Sequence, residues 1–194
     1  MTGKWQEMAL IALWKSKPDE IDNLNIEQIV PIAGDGQLMD ESFCSTELRT
    51  YLSSTGLENL KVHAERCLDI KFDKGGFVLQ DVVNELGRRL GYEVINGRYQ
   101  GTKSHNGHDG LWRSPEGNWI VVEVKTSDAY RIKLKKPIDY LSDLRASGIV
   151  TGPASVLIVV GRDDTGELEE QVRGSRYELP PDFLDTDLSN RRHS

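Results

Sequence analysis

Three charged residues near the middle of the chain have the types and spacing of a metal-dependent site: Asp109, Glu123 and Lys125. Glu123 and Lys125 lie two residues apart in segment 119–125, an otherwise apolar run that is typical of a buried strand. Residues two apart in a strand point to the same face. Because a buried charge is costly unless it is paired or bound to metal, two carboxylates and a lysine here predict a site that holds a divalent cation and activates water against a phosphodiester. The alternative is a structural Glu–Lys ion pair.

Charge is distributed unevenly along the chain. The formal net charge is −7 over 194 residues, yet residues 87–136 carry ten basic and five acidic side chains. This basic stretch brackets the acidic motif, so it predicts a groove that faces phosphates. We name Lys103, Arg131 and Lys133 within it as candidate contacts with nucleic acid. The alternative is that these are solvated charges on helices and hairpins.

Several classes of protein do not fit the composition. No apolar run approaches the roughly 18 residues that cross a bilayer, and the first twenty residues lack the pattern of a signal peptide. Cys44 and Cys67 have no metal-type spacing, which favours reduced thiols and a cytoplasmic setting. Segment 161–166 lacks the Gly-Lys-Ser/Thr of a phosphate loop, so no nucleotide cofactor is expected. His105 and His108, even with Cys67 or His63, form a weak zinc pattern.

Residues 1–70 have the pattern of a separate helical region. Apolar residues at helical spacing predict helices over 5–15, 21–30, 45–52 and 57–68, the third of them capped by Ser45. Dimerisation, target recognition and regulation all remain open as roles for this region.

Residues 71–180 change to an alternation of helices and strands. The pattern predicts a helix over 79–90, strands over 92–95, 110–112 and 119–125, a hairpin turn at 114–118, a helix over 137–147, a strand over 154–160 and a further helix from 165. The fully apolar 154–160 segment is typical of a strand in the middle of a sheet. This order predicts an α/β fold with a central mixed β-sheet flanked by helices, followed by a polar tail over 181–194.

Asp109, the Glu123-Val124-Lys125 triplet and the helix and turn before them resemble the PD-(D/E)XK nucleases, particularly the Mrr-like branch. Segments 81–90, 121–126 and 159–162 also resemble a little-characterised group of bacterial restriction-endonuclease-like proteins, with similarity from about residue 13 to 176. The resemblance implies a restriction-endonuclease-like core over 71–180 and Mg²⁺-dependent hydrolysis of DNA, with Mn²⁺ able to substitute.

The resemblance also implies roles for individual residues. Asp109 and Glu123 would bind the metal, the carbonyl of Val124 would be a further ligand, and Lys125 would orient or deprotonate the attacking water. Gln80 falls where the Mrr-like helix often has glutamate, so it is expected to reach the site as a neutral ligand.

His108 stands where the motif name has proline, and it is expected to touch a phosphate or tune the site. Glu85 is interpreted as a solvated helix glutamate, with a third acid of the site as the alternative. A homodimer is expected because one such site cuts one strand. The alternatives to a nuclease are a catalytically inactive nucleic-acid-binding module of the same fold and one subunit of a larger defence assembly.

Overall fold

The computed structural model describes residues 9–100, 107–126, 134–161 and 170. These residues form a mixed α/β structure in which helices flank a four-stranded mixed sheet. The order of elements in the described ranges is α1 (Ala9–Ser16), α2 (Pro18–Asp22), α3 (Ile26–Ile29), a 3₁₀ turn (Val30–Ile32), α4 (Phe43–Ser54), α5 (Leu57–Asp69), α6 (Gly75–Arg89), β1 (Glu93–Asn96), β2 (Gly110–Arg113), β3 (Trp119–Lys125), α7 (Lys135–Ala146) and β4 (Ala154–Val160).

The N-terminal helices within the described residues are more numerous than the sequence pattern predicts. The helix predicted over 21–30 is divided into the end of α2, all of α3 and the start of the 3₁₀ turn. A new helix begins after Asn25, whose N–H donates to the Gln28 side chain at 2.9 Å, as in a capping box. The cap predicted at Ser45 is also wrong, because the hydroxyl of Ser42 accepts the Ser45 N–H at 3.1 Å and α4 begins at Phe43.

A buried glutamate ties the start of α1 to the turn that precedes α4. Glu47 is fully buried, and its two carboxylate oxygens accept the backbone N–H groups of Ile11 at 3.0 Å and Gly34 at 2.5 Å. Gly34 has φ +54°, and a Cβ there would lie 2.5 Å from the backbone nitrogen of Cys44. Only glycine fits this position without displacing the backbone at the start of α4.

The sheet has the strand order β1-β2-β3-β4. The first two pairings are antiparallel, and the turn between β2 and β3 is closed by the Ser114 N–H, which donates to the Asn118 carbonyl at 2.8 Å. Strands β3 and β4 are parallel over seven residue pairs, from Trp119 with Ala154 to Lys125 with Val160. Such a connection needs a crossover, and α7 lies within it.

Helices cover both faces of the sheet. On one face Trp112, Val122 and Val124 share a hydrophobic core with residues of α6 and of the N-terminal helices. On the other face Leu111 and Val121 pack with three residues of α7, which are Tyr140, Leu141 and Leu144. The alternation of side chains in β2 and β3 therefore produces the layered α/β arrangement that the sequence predicts.

The prediction that segment 154–160 forms a central strand is wrong for the described part of the chain. β4 pairs there with β3 alone, and Leu157 is exposed. The strand is apolar for a different reason, because Val156 packs against the α7 core and Val159 against the α6 core. The apolar content of this segment thus indicates that a hydrophobic core packs on each face of the strand. It does not indicate how many strands pair with it. The helix predicted from 165 and the tail at 181–194 lie outside the described residues, apart from residue 170.

Candidate active site

The three residues singled out by spacing come together at one end of the β2–β3 hairpin. Gly110 pairs with Val122, so the register carries Asp109 to a position opposite Glu123. The Asp109 N–H donates to the Val122 carbonyl at 2.9 Å. Alternation puts Asp109, Glu123 and Lys125 on the α7 face of the sheet, the face on which Leu111 and Val121 lie.

Asp109 is held by both its side chain and its backbone. Its Oδ2 accepts the Val124 N–H at 2.6 Å, while its carbonyl accepts from Gly97 N at 3.0 Å, Gln80 Nε2 at 3.0 Å and Asn84 Nδ2 at 2.9 Å. Because β2 begins only at Gly110, the carboxylate takes the place of a strand carbonyl for Val124. These bonds orient the carboxyl group of Asp109 towards β3.

Two glycines allow the backbone around Asp109 to pack this closely. A Cβ on Gly97 would lie 1.9 Å from the His108 carbonyl oxygen, and a Cβ on Gly110 would lie 2.1 Å from Asn84 Oδ1. Both distances are far inside van der Waals contact, so a larger residue at Gly97 must displace the backbone at His108 and Asp109, and one at Gly110 must displace the Asn84 side chain.

Glu123 is buried and only half satisfied. Its side chain is 3% exposed, and its Oε1 lies 2.5 Å from Lys125 Nζ. Its Oε2 is buried without a hydrogen-bond partner among the described residues. A buried polar atom without a partner costs on the order of 1–3 kcal/mol. The ion pair with Lys125 therefore exists, but it accounts for only one of the two carboxylate oxygens.

Asp109, the other carboxyl group of the pair, is also in an environment that disfavours its ionised form. Burial raises the pKa of Asp109 to about 6, and the negative charge of Glu123 adds to that rise. The Val124 N–H, Lys125 and Lys136 act in the opposite direction and lower the pKa. A cation placed between the two acids would favour their ionised forms.

The donor set suits a hard divalent ion. No described group of three or more His, Cys, Asp or Glu residues is arranged to hold a metal, so the site offers two carboxylates, Asp109 and Glu123, with the Val124 carbonyl as a further oxygen. Mg²⁺ is commonly bound through one or two carboxylates and keeps several waters. The two carboxylates fit that pattern, since Oε2 of Glu123 has no partner among the described residues.

The histidines do not form the zinc site considered from the sequence. His63 lies in α5, where its Nε2 is 3.1 Å from the Tyr51 hydroxyl. His105 lies outside the described residues. His108 directly precedes Asp109 in the chain. Burial lowers the pKa of His108, while the negative charge of Glu123 opposes that effect. Its Nδ1 is buried without a partner among the described residues.

Gln80 reaches the candidate site through a contact with the backbone of Asp109. The side chain is 2% exposed, and its amide nitrogen donates to the Asp109 carbonyl. Lys103, Arg131 and Lys133, the other candidates for contact with nucleic acid, lie outside the described residues.

Sequence reasoning missed Asn84, one helical turn after Gln80. Asn84 donates to the Asp109 carbonyl and accepts from Trp112 Nε1 at 2.8 Å, so it links α6 to both ends of β2. The available signal was a pair of amide side chains four residues apart on the buried side of an amphipathic helix.

Sequence reasoning counted Lys136, in the first turn of α7, among the basic residues of 87–136 that are expected to face phosphates, but it missed the contact of Lys136 with Tyr140. Its Nζ lies 5.5 Å from the centroid of the Tyr140 ring. A hydrogen bond with Tyr140 raises the pKa of Lys136, and the charges of Glu123 and Asp109 raise it further. The signal was Lys-x3-Tyr, because residues four apart on a helix are neighbours.

The interpretation of Glu85 as a solvated glutamate is wrong. Its side chain is 7% exposed and forms ion pairs with Arg89 at 3.0 Å and Arg88 at 3.7 Å. Arg89 also donates to the carbonyls of Leu52 and Thr55 at 2.8 Å each. Glu85 thus holds the arginine that joins α6 to the end of α4, and it contributes no third acid to the site.

Comparison of the chain with protein-family models, with curated proteins and with solved structures gave no match. Among the described residues, no helix has the length and apolar character that crossing a membrane requires. The geometry of the site is therefore the basis on which a function is assigned.

Proposed function

We propose that this chain is a divalent-metal-dependent nuclease with a restriction-endonuclease-like core, and that it hydrolyses phosphodiester bonds of DNA. The observation that carries the proposal is the state of Glu123. One of its buried oxygens is paired with Lys125, the other has no partner among the described residues, and a second carboxylate lies opposite in the register. A purely structural ion pair requires neither the unpaired oxygen of Glu123 nor the second acid, Asp109.

Asp109, Glu123 and the Val124 carbonyl are the groups that would hold Mg²⁺, and Mn²⁺ would substitute through the same oxygen ligands. When bound, such an ion supplies positive charge that neutralises a phosphate oxygen and lowers the pKa of a coordinated water. The protein holds its own carboxylates ready for this role, because the Val124 N–H orients Asp109 and Lys125 orients Glu123.

Lys125 has the position of the residue that orients the attacking water. Its ammonium group lies beside Glu123, and its side chain is 38% exposed, so it faces both the acid and the solvent. In the reaction a water oxygen attacks phosphorus and gives up a proton to solvent, one ester P–O bond breaks, and the leaving oxygen takes a proton from solvent. The ammonium donates hydrogen bonds to the attacking oxygen and stabilises the negative charge on the phosphate oxygens.

A polyanionic substrate is supported by charge. Residues 87–136 carry a net excess of five basic side chains although the whole chain is acidic. An excess of basic side chains in the segment that carries the acidic pair favours binding of a phosphate backbone there.

The direct test is cleavage of a supercoiled plasmid in Mg²⁺, in Mn²⁺ and in EDTA. Wild-type protein is expected to nick the plasmid with either metal and not with EDTA. Asp109→Asn, Glu123→Gln and Lys125→Ala are each expected to abolish nicking. Glu116→Gln is the matched control, since Glu116 is an exposed acid in the turn between β2 and β3. Melting curves of every variant show whether it is folded.

A second candidate is a catalytically inactive nucleic-acid-binding module of the same fold. The 2.5 Å ion pair between Glu123 and Lys125 favours it, because such a pair stabilises the strand without any metal. Wild-type protein that binds the plasmid but never nicks it identifies this alternative. Light scattering with and without DNA tests the proposed homodimer and the possibility that the chain is one subunit of an assembly.

A further inference from the structure

We propose that Lys136 binds the phosphate backbone of the DNA strand at this site, and that Tyr140 holds its ammonium group in place. The proposal deepens the nuclease assignment and rests on its substrate class. It assigns different roles to two lysines: Lys125 pairs with Glu123, and Lys136 contacts the substrate.

The path of the chain brings Lys136 to the acidic pair. Helix α7 lies in the crossover between the parallel strands β3 and β4, so it starts near the end of β3 that carries Lys125 and runs back along the sheet. Tyr140 packs in the same core as Leu111 and Val121. Those residues lie two positions from Asp109 and Glu123 on one face, and Lys136 lies one helical turn before Tyr140.

Tyr140 anchors the lysine. Its side chain is buried in the α7 core, and Lys136 Nζ lies 5.5 Å from the ring centroid. A cation at this distance from an aromatic ring is attracted by it. An otherwise flexible lysine is thereby restrained before any substrate arrives, which lowers the entropy cost of binding.

The two lysines differ in their partners. Lys125 Nζ lies 2.5 Å from Glu123 Oε1, whereas no described carboxylate is within ion-pair distance of Lys136. Asp109 and Glu123 act on Lys136 only at longer range, and they help to keep it protonated. An ammonium group in this state has donors available for a further anion.

A phosphodiester is the anion that fits. Lysine binds phosphate as a compact point charge and does not require the planar geometry of a carboxylate. The single positive charge of the ammonium group balances the single negative charge of a backbone phosphate. Lys136 thus contributes substrate binding next to the acids that would hold the metal.

The test measures binding, so that it does not depend on cleavage. A fluorescent DNA duplex is titrated with wild-type protein and variants in EDTA and in Ca²⁺, over a series of salt concentrations. Lys136→Gln is expected to raise Kd about tenfold and to reduce the slope of log Kd against log salt by about 0.9, the value for one phosphate contact. Lys135→Gln is the matched control, because Lys135 is the exposed neighbour in the same turn.

Two further variants separate charge from position. Lys136→Arg keeps the charge, so it is expected to restore the wild-type salt slope. Tyr140→Phe removes the hydroxyl that holds the ammonium group, so it is expected to raise Kd a few-fold without changing the slope. Melting curves identify any variant that fails to fold, and Lys136→Arg then provides the comparison at unchanged charge.

The inference is overturned if Lys136→Gln and Lys135→Gln have the same Kd and slope, or if wild-type protein does not bind the duplex. It is also overturned if Lys136→Gln binds as wild type and only cleaves more slowly. If wild-type protein binds with the predicted Lys136 dependence but never nicks DNA, the nuclease proposal fails and the phosphate contact stands.

Discussion

Two buried carboxylates of this protein have the same direction and size of pKa shift but opposite surroundings. Burial raises the pKa of Asp81 to about 6, as it does for Asp109. Asp81 has both oxygens occupied, since Oδ1 accepts from Arg49 Nε at 2.8 Å and Oδ2 accepts from the Tyr99 hydroxyl. Tyr99 is fixed in turn, because its backbone N–H donates to Asp40 at 2.8 Å.

The acidic pair at the hairpin end is less complete. Asp109 lies opposite Glu123 with like charge, and Glu123 Oε2 has no partner among the described residues. A carboxylate with a structural role accepts hydrogen bonds from the protein at both oxygens, as Asp81 does. A carboxylate that binds a ligand has lone pairs without a hydrogen-bond donor from the protein, and this lowers the stability of the fold. The shifted pKa alone does not distinguish the two cases, and the occupancy of the oxygens does.

The largest expected effect is on catalysis. Lys125→Ala and Asp109→Asn are expected to lower the rate of plasmid nicking by on the order of a thousandfold, since Lys125 stabilises charge at the reacting phosphate and Asp109 would hold the metal. Asp81→Asn is the control from the other cluster, and its rate per folded molecule is expected to match wild type. Equal losses in all three variants would contradict the distinction between the clusters.

The next effect is on stability. Asp81→Ala is expected to lower the free energy of unfolding by about 3 kcal/mol or more, because it leaves the partly buried Arg49 and the buried Tyr99 hydroxyl without their acceptor. Urea unfolding of wild type and variant measures the difference. A loss below about 1 kcal/mol would show that the cluster does not hold α4 and α6 together.

The metal-free protein is expected to become more stable when Asp109 is replaced by asparagine. The amide still accepts the Val124 N–H, and the cost of the ionised carboxyl is removed. That cost is about 2–3 kcal/mol for a pKa raised from 3.8 to about 6. It is fully present above pH 6 and absent below the unfolded pKa, so the advantage of Asp109→Asn declines as pH falls from 6 to 4. Urea unfolding in EDTA at several pH values measures this, and an advantage that persists at pH 4 contradicts the assignment.

The smallest effect is the response to metal. Mg²⁺ at ten times its Kd is expected to stabilise wild-type protein by about 1.4 kcal/mol. Glu123→Gln is expected to show little or no such gain, while Asp81→Asn keeps it. Thermal unfolding with Mg²⁺ and with EDTA provides the comparison. An equal gain in Glu123→Gln places the metal elsewhere.

Local patterns were sufficient for much of the fold. The helix ending near Leu90, the hairpin turn at 114–118 and the strands at 110–113 and 119–125 follow from periodicity and turn residues. The pattern failed where one residue changes the local preference, as at Asn25, which starts a new helix, and Ser42, which caps α4. It also failed for β4, which pairs with one strand in the described part of the chain, because an apolar segment does not indicate how many strands pair with it.

The candidate site divides in the same way. Asp109, Glu123 and Lys125 were predicted because strand alternation places charges two apart on one face, which is a local property of the chain. Only the tertiary structure decided that Asn84 and Gln80 hold the Asp109 backbone. It also decided that Lys136 contacts Tyr140 and that Glu85 pairs with Arg89. The contacts of Asn84 and Gln80 join elements far apart in sequence, and they depend on how the helices pack on the sheet, which no local periodicity encodes.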